Sequence, residues 1–397
     1  MYSDEDLNSA VAAGALSAEA AASFRAHMSA MRHLPHASEE DFRLLNSFND
    51  IFVSIGIVIL LVALGAIGQA LAVVIAPLPP YPNVDFSLPN AWSGPEVLAW
   101  QQAREVRQAL SASLAGLLIA AAAWPLAEFF TRKRRMALPS ILLLLAFVGG
   151  VFATGVGGVM WTVTASGDNE TLGVVLLAGA ALAAAGAAWL HWRRFMVPIT
   201  VAAGSAAIAG TVLALMAAAI GPDNIEKNVM LALVLVAGLA VFAFAMRWDM
   251  SDRARTTRRS DVAFWLHLTA APMIAHPVFS LLGVTDGDNP GMGAAFGVIG
   301  VYIAFGLVAL ATDRRALLVS ALVYVLFALT FLFRQFGAVE LNFALTALVI
   351  GSALLSLSAF WQPIRRAVVT LLPPGLQAVL PATEEPTYLP GAGASPA

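Results

Sequence analysis

The amino-acid sequence predicts an all-α, polytopic transmembrane helix bundle of about ten spans, with the N- and C-termini in the cytoplasm. Three observations support this prediction. Of the 397 residues, 59% are apolar and only 12% are charged, whereas soluble domains carry about 25% charged residues. The apolar residues fall in long runs, and a helix needs about 20 such residues to cross the hydrocarbon layer. The linkers between the runs alternate between basic and acidic or neutral sequence.

Ten segments have the length and the apolar character of a membrane span. They are 51–75, 110–130, 138–162, 171–190, 197–220, 229–246, 262–282, 292–312, 317–333 and 341–360.

The orientation follows from the basic linkers. The stretch from Trp124 to Leu144 is the clearest example, because two apolar runs enclose the basic block at 132–135. Placing all such linkers on one side of the membrane leaves few positive charges on the other. Of the 22 Lys and Arg residues, those on the other side are Arg104, Arg107, Lys227 and Arg334. The positive-inside rule then predicts that both termini are cytoplasmic.

Three parts of the chain are predicted. Residues 1–46 form a cytoplasmic helical segment, and residues 47–361 form the ten-span bundle, in which 77–108 is an outer loop. Residues 362–397 form a cytoplasmic tail that is amphipathic at first and then disordered, because it becomes rich in Pro and Gly. The acidic opening of the chain is not that of a signal peptide.

Two polar stripes are predicted on the last two spans. On regular helices each stripe lies within one arc of about 120°. Polar groups that faced lipid would lose hydrogen bonds, so both stripes are expected to face protein or water. Helix–helix packing through Ser and Thr is the favoured interpretation, and a lined cavity is the alternative. The residues are Ser320, Tyr324, Thr330 and Arg334 on span nine and Asn342, Thr346, Ser352 and Ser356 on span ten.

Two histidines lie in the seventh span. His267 and His276 are nine residues apart, which puts them on nearly opposite faces of a regular helix and excludes a shared metal ion. Each is interpreted as a packed or hydrogen-bonded side chain. His276 is kept as a candidate cavity residue because it lies deeper, next to Pro277, which frees a backbone carbonyl.

Acidic residues are rare inside the predicted spans. Glu128 lies four residues before Arg132, a spacing that favours a structural ion pair on a helix, with a proton or ligand site as the alternative. Asp50, at the start of the first span, is expected to be a solvated boundary residue. Since ion-coupled carriers usually keep acids within the membrane, an ion-coupled pump is disfavoured.

Several classes of chemistry have no signal in this sequence. The chain has no cysteine, and it lacks the HExxH, GxSxG and phosphate-binding loop motifs. No catalytic, metal-binding or cofactor-binding residue is therefore assigned, and no cofactor is predicted. The net charge of −3 gives no reason to expect nucleic acid as a partner.

Two stretches resemble a family of uncharacterised bacterial multi-pass membrane proteins. They are SAVAAGALSAEAAASFRAHM at 9–28, ahead of the spans, and LSAFWQPIRRAVVTLLP at 357–373. Members of that family carry a short N-terminal cytoplasmic helical segment with a Gly–small–Leu–Ser–x–Glu pattern. The resemblance implies the bacterial inner membrane as the location, and it implies no catalytic or binding residue.

The sequence favours transport or permeation of a small molecule, with a cavity near spans nine and ten. The alternative is a non-catalytic scaffold or sensor that docks a partner through the N-terminal segment, and an enzyme acting on a lipid-like substrate ranks third. The expected partners are the lipid bilayer, a cytoplasmic protein and a second copy of the chain. The Gly293–Gly297 spacing is typical of packed membrane helices.

Overall fold

The computed structural model describes residues 11–14, 16–24, 48–83, 87, 93–167, 169–253, 255, 257–283, 291–335 and 341–381. The chain divides into two compact units, one of Met1–Phe42 with Glu384–Ala397 and the other of Arg43–Thr383. In the first unit residues 18–24 are helical, and the rest of the predicted helical segment 1–46 falls largely outside the described residues.

The second unit is built from helices joined by short connections. The long helices are α1 (Phe48–Ile75), α2 (Pro95–Ala127), α3 (Ala137–Ser166), α4 (Glu170–Phe195), α5 (Ile199–Ile220), α6 (Lys227–Ser251), α7 (Arg258–Leu281), α8 (Met292–Thr312), α9 (Ala316–Gln335) and α10 (Asn342–Ala359). A π-helix (Glu128–Lys133) continues α2, and two short helices, α11 (Trp361–Thr370) and α12 (Pro374–Gln377), follow α10.

These helices have the dimensions of membrane spans. Among the described residues, nine helices are long and apolar enough to cross a membrane, and α10 with α11 forms a tenth candidate that is bent by 75°. No strand occurs in that part of the chain. The prediction of an all-α polytopic bundle of about ten spans is confirmed.

Several helices extend beyond the predicted spans. Residues 95–108, predicted as part of the outer loop 77–108, are instead the start of the helix that contains span two, because α2 begins at Pro95, in the first turn where proline is tolerated. Helix α6 continues to Ser251, five residues past the predicted end at 246. Asp249 therefore lies on a spanning helix, and it adds one acidic residue to those that the predicted spans contain.

Close packing between α2 and α3 depends on glycine. A Cβ atom added to Gly150 would lie 2.6 Å from the carbonyl oxygen of Gly116 and 2.9 Å from the amide nitrogen of Ala120. A Cβ atom on the neighbouring Gly149 would meet nothing within 4 Å. Small residues thus let these two backbones approach, as they do in other membrane helix pairs.

Helix α7 is the central element of the second half of the bundle. It packs against α5, α6 and α9, and it is the most buried of the nine spanning helices. Its inward side chains, among them Leu266, Ala270 and Ile274, join a core cluster with residues of α5, α6 and α9. Polar groups on α7 consequently lie among apolar neighbours, where an unpaired charge is costly.

Three connections meet at one end of this unit. They are the loop between α6 and α7, the turn between α8 and α9, and helix α11, and contacts of Asp313 with Arg255 and Trp361 join them. We call this region the basic end, because it contains the arginines Arg253, Arg255, Arg314, Arg315, Arg365 and Arg366.

Candidate functional site

A fully buried carboxylate lies near the basic end. The side chain of Asp249, in the last turn of α6, has no solvent exposure. Its Oδ1 accepts a 2.6 Å hydrogen bond from Nη2 of Arg314, and its Oδ2 lies 2.9 Å from Nε2 of His267. Nε of Arg314 lies 3.4 Å from the same Oδ2. Both oxygens thus have partners, as a buried charge requires.

The backbone positions Arg314 for this contact. Helix α8 ends at Thr312, and the next residue, Asp313, adopts the left-handed conformation with φ of 54°, which Asp tolerates better than most residues. The amide of Arg314 then donates to the carbonyl of Ala309, as in a Schellman helix end. The guanidinium of Arg314 also donates to the carbonyl of Ser260 at 3.0 Å, so it links α6, α7 and the α8–α9 turn.

His267 reaches Asp249 from the facing helix. The imidazole is 2% exposed, and its ring meets the ring of Phe242 edge to face at a centroid distance of 4.9 Å. Aspartate, histidine and arginine therefore form one buried hydrogen-bonded triad, which we call the Asp249 triad. Its carboxylate and its imidazole share a single hydrogen bond.

A second carboxylate, Asp313, lies beside the triad. Its Oδ2 accepts a 2.7 Å hydrogen bond from Nη1 of Arg255, and its Oδ1 accepts one of 2.7 Å from Nε1 of Trp361. Nε of Arg365 is 3.6 Å from the same Oδ1. Asp313 thereby connects the α6–α7 loop to helix α11.

Arg255 is held by backbone oxygens as well. Its Nη2 donates to the carbonyls of Thr312 and Asp313 at 3.1 and 3.2 Å. Burial lowers the pKa of the Arg255 guanidinium, and the positive charge of Arg314 lowers it further. Asp249 and Asp313 thus face the three buried or half-buried arginines of the region, namely Arg255, Arg314 and Arg365.

Asp252 organises the loop that carries Arg255. Its Oδ2 accepts hydrogen bonds from the amide and the hydroxyl of Thr257 at 2.9 and 2.7 Å. The Thr257 hydroxyl oxygen in turn accepts from the amide of Arg259 and caps α7. The loop is therefore fixed at both ends, which places Arg255 against Asp313.

The structure brings two of the predicted site residues together outside the triad. Nδ1 of His276 is 2.7 Å from the hydroxyl of Tyr324, so α7 and α9 share a hydrogen bond. The Tyr324 ring stacks on Phe279 with a centroid distance of 4.5 Å. The imidazole of His276 is exposed on its other side.

The two predicted polar stripes meet at a single point. The hydroxyl oxygens of Thr330 and Thr346 are 3.5 Å apart, and Thr346 is buried. The other members are dispersed: Ser320 is half-buried, Arg334, Ser352 and Ser356 are exposed, and the side chain of Asn342 lies outside the described residues. Ser352 donates to the carbonyl of Val349 within its own helix. The two stripes are therefore joined through the Thr330–Thr346 contact.

A groove lies in the first half of the bundle. It has a volume of about 520 Å³ and runs between α1, α2 and α3. Its walls are mainly small and apolar side chains, with Gln69 and Ser111 as the polar exceptions. This lining offers little that would orient a polar ligand.

Glu128 lies in the π-helix that continues α2. Its carboxylate accepts a 3.3 Å hydrogen bond from Arg132, at the predicted spacing, and it also accepts two from Arg194 at the end of α4, at 2.5 and 3.1 Å. Sequence reasoning missed Arg194, which is 66 residues away. The side chain of Glu128 is 29% exposed, so this is a partly solvated surface ion pair between two helical hairpins.

His191 and Asp50 are both buried. His191, near the end of α4, has no exposed surface, and its ring lies 4.5 Å from that of Phe195 and 6.4 Å from that of Trp124. Its Nδ1 is 3.3 Å from the hydroxyl of Thr200. Asp50 is 2% exposed, so the expectation of a solvated boundary residue is wrong.

The residues of the basic end are the candidate site residues that sequence reasoning missed. Arg314 and Arg365 belong to the basic linkers that set the predicted orientation, yet they are 5% and 1% exposed. One signal is present in the sequence, because Asp249 and Asp313 are acids inside arginine-rich linkers. Among the described residues, no three metal-ligating side chains converge.

No family model, no curated protein and no solved structure matches the chain. The function is therefore argued from the geometry of the described residues.

Proposed function

We propose that the protein transports a small molecule across the bacterial inner membrane and that the Asp249 triad is the titratable site on its pathway. The observation that carries this proposal is the complete burial of Asp249 between Arg314 and His267. Ionisable side chains within membrane helices are costly and typically mark ion, proton or substrate pathways.

Stability alone is a poor reason for such a triad. A buried ion pair is often no more stable than well-packed apolar side chains of similar volume. A charged pair is, however, well suited to a switch, because protonation or a competing ligand changes the partner of each charge. Asp249, His267 and Arg314 lie on three different elements, so a change of partner would alter their packing.

The position of the triad also favours coupling to protons. Its acid and its imidazole share a hydrogen bond of 2.9 Å. Farther along the same helix α7, His276 bonds Tyr324. The sequence disfavoured ion coupling because acids within the spans were few, and the extension of α6 to Ser251 adds Asp249, in the last helical turn, to them.

Flux measurements in proteoliposomes test this proposal even while the substrate is unidentified. Vesicles that contain the full chain and a trapped pH indicator receive a potassium diffusion potential, alone and with a panel of amino acids, sugars, carboxylates and nucleosides. We expect a pH change with at least one condition, and we expect Asp249→Asn to abolish it. Asp223→Asn, in an exposed short helix between α5 and α6, is the matched control. Traces equal to those of empty vesicles across the panel would overturn the proposal.

The proposed orientation has a separate test. With both termini in the cytoplasm, a reporter that is active only in the periplasm gives signal when it is fused after Asp168 and none when it is fused after Ser260. The reverse pattern would place the basic end outside the cell and contradict the positive-inside assignment.

A scaffold or sensor is the second proposal. The helical stretch at 18–24 leaves Phe24 40% exposed, and an exposed aromatic side chain is a typical contact residue for a protein partner. Deletion of residues 1–36 tests it. Loss of the cellular phenotype with membrane insertion intact, in a protein whose full chain shows no flux in vesicles, would favour docking of a cytoplasmic partner over transport.

A further inference from the structure

The last described segment of the chain is bound at the basic end by two arginines. After α12 the backbone carbonyl of Leu380 accepts a 2.8 Å hydrogen bond from Nε of Arg253, in the α6–α7 loop. The carbonyl of Pro381 accepts one of 2.8 Å from Nη2 of Arg365. Nη2 of Arg253 also donates to the carbonyl of Gln377 at 3.3 Å.

This segment is compact and lies against Arg365, which is buried, and Arg253, which stays exposed. Gln377 donates from its side-chain amide to the carbonyl of Leu372 at 2.7 Å and so closes the turn on itself. Leu380 is 7% exposed, and Arg365 is 1% exposed. A guanidinium is rarely so buried unless its surroundings provide acceptors.

The contacts continue from the segment to the Asp249 triad. Arg365 lies 3.6 Å from the Asp313 carboxylate, which Arg255 and Trp361 also bind. The residue after Asp313 is Arg314, the partner of Asp249. Displacement of the segment would therefore loosen Arg365 and Arg253 first, and then the turn that positions Arg314.

The acceptors offered by the segment are neutral carbonyls. They accept two hydrogen bonds from Arg253 and one from Arg365, and they carry no charge that would neutralise either guanidinium. An anionic group would compete favourably for the same donors, because hydrogen bonds between two ionised groups are stronger than those to a neutral acceptor. The contact is thus suited to release.

We propose that residues 373–381 form an autoinhibitory latch that keeps the basic end closed over the Asp249 triad. Its effect on flux rests on the proposed transport function. Its effect on access to the basic end does not, so the two can be tested separately.

Accessibility of an introduced thiol tests the latch directly. The chain has no cysteine, so Thr312→Cys provides a single thiol at a position that is 4% exposed and whose carbonyl binds Arg255. In the full chain the reaction with a membrane-impermeant maleimide is expected to be slow. Adding Arg253→Ala, or ending the chain after Pro373, should accelerate it about tenfold, because the buried position then opens more often. Arg366→Ala, on the exposed side of α11, is the matched control and should leave the rate unchanged.

The same variants in the vesicle assay separate the two proposals. Faster labelling together with greater flux supports both. If labelling becomes faster but neither the full chain nor any variant shows flux, the latch proposal stands and the transport proposal is overturned. The latch is overturned if the full chain shows flux but neither Arg253→Ala nor the truncation accelerates the labelling of the thiol. Should the truncated chain fail to fold, Arg253→Ala alone decides the matter, because that side chain is exposed and its removal leaves the core intact.

Discussion

Asp249 and Arg314 are 65 residues apart in the chain and join through a 2.6 Å hydrogen bond in which the carboxylate has no solvent exposure. The pair ties the end of α6 to the turn between α8 and α9, and His267 adds α7 to the same carboxylate. The helices and the turn at the basic end are thus held together by charged side chains, each of which binds a partner on another element.

The first prediction concerns the stability of this pair. Asp249→Ala leaves Arg314 buried without its counter-ion, and such losses lower the free energy of unfolding by about 3–5 kcal/mol. The double variant Asp249→Leu/Arg314→Met replaces the pair with apolar side chains and should recover most of that loss. Denaturant unfolding in micelles measures both changes. A double variant as unstable as the sum of its two single variants would contradict this view of the pair.

The sequence was sufficient to predict the spans, because each is decided locally. A run of about 20 apolar residues has few alternatives to a membrane helix, and predicted span eight, 292–312, has the same bounds as α8. The ends of the helices were less well predicted where a helix continues into polar sequence. Helix α6 carries Arg247, Trp248 and Asp249 beyond its apolar part, so hydropathy alone ended the span too early.

The charge cluster could not be predicted, because its contacts join distant parts of the chain. Arg255 and Asp313 are 58 residues apart, and Trp361 and Asp313 are 48 apart. Neighbouring arginines also have different environments. Arg314 is buried and binds Asp249, whereas the guanidinium of Arg315 lies 4.6 Å from the centroid of the Trp361 ring. The local sequence is the same for a solvated anchor and a buried ion-pair partner, and only packing distinguishes them.

The second prediction concerns Trp361, which holds α11 against Asp313. Trp361→Phe keeps an aromatic ring and removes the 2.7 Å hydrogen bond to the carboxylate. Loss of a hydrogen bond to a charged group should lower the free energy of unfolding by about 1.5–3 kcal/mol. Trp189→Phe, at a 56% exposed position, serves as the control and should change little. Equal effects of the two substitutions in denaturant titrations would argue against the Asp313 contact.

The third prediction compares two adjacent glycines of α3. Gly150→Ala forces a Cβ atom to within 2.6 Å of the Gly116 carbonyl, and overpacking of this kind costs about 1–3 kcal/mol. Gly149→Ala meets no atom within 4 Å and should be neutral or slightly stabilising, because alanine favours the helix. Thermal denaturation in detergent ranks the two variants. The opposite ranking would mean that α2 and α3 do not pack as described.

The fourth prediction concerns the ion pair between the first two basic turns. Glu128→Arg would face Arg132 and Arg194 with a like charge, so it should lower the midpoint of thermal denaturation modestly, because the site is partly solvated. Glu128→Arg/Arg194→Glu restores an attractive pair and should recover part of the loss. If the double variant is no more stable than Glu128→Arg alone, the Arg194 contact does not contribute.

The flux assay with Asp249→Asn tests the central claim most directly. The substitution keeps the shape of the side chain and removes its charge, and variants that elute as a single folded species are compared at equal protein density. We predict a pH change with at least one solute or with the potential alone, its loss in Asp249→Asn, and its retention in Asp223→Asn. Equal pH changes in Asp249→Asn and the unmodified chain, or none in either, would contradict a transport role for the Asp249 triad.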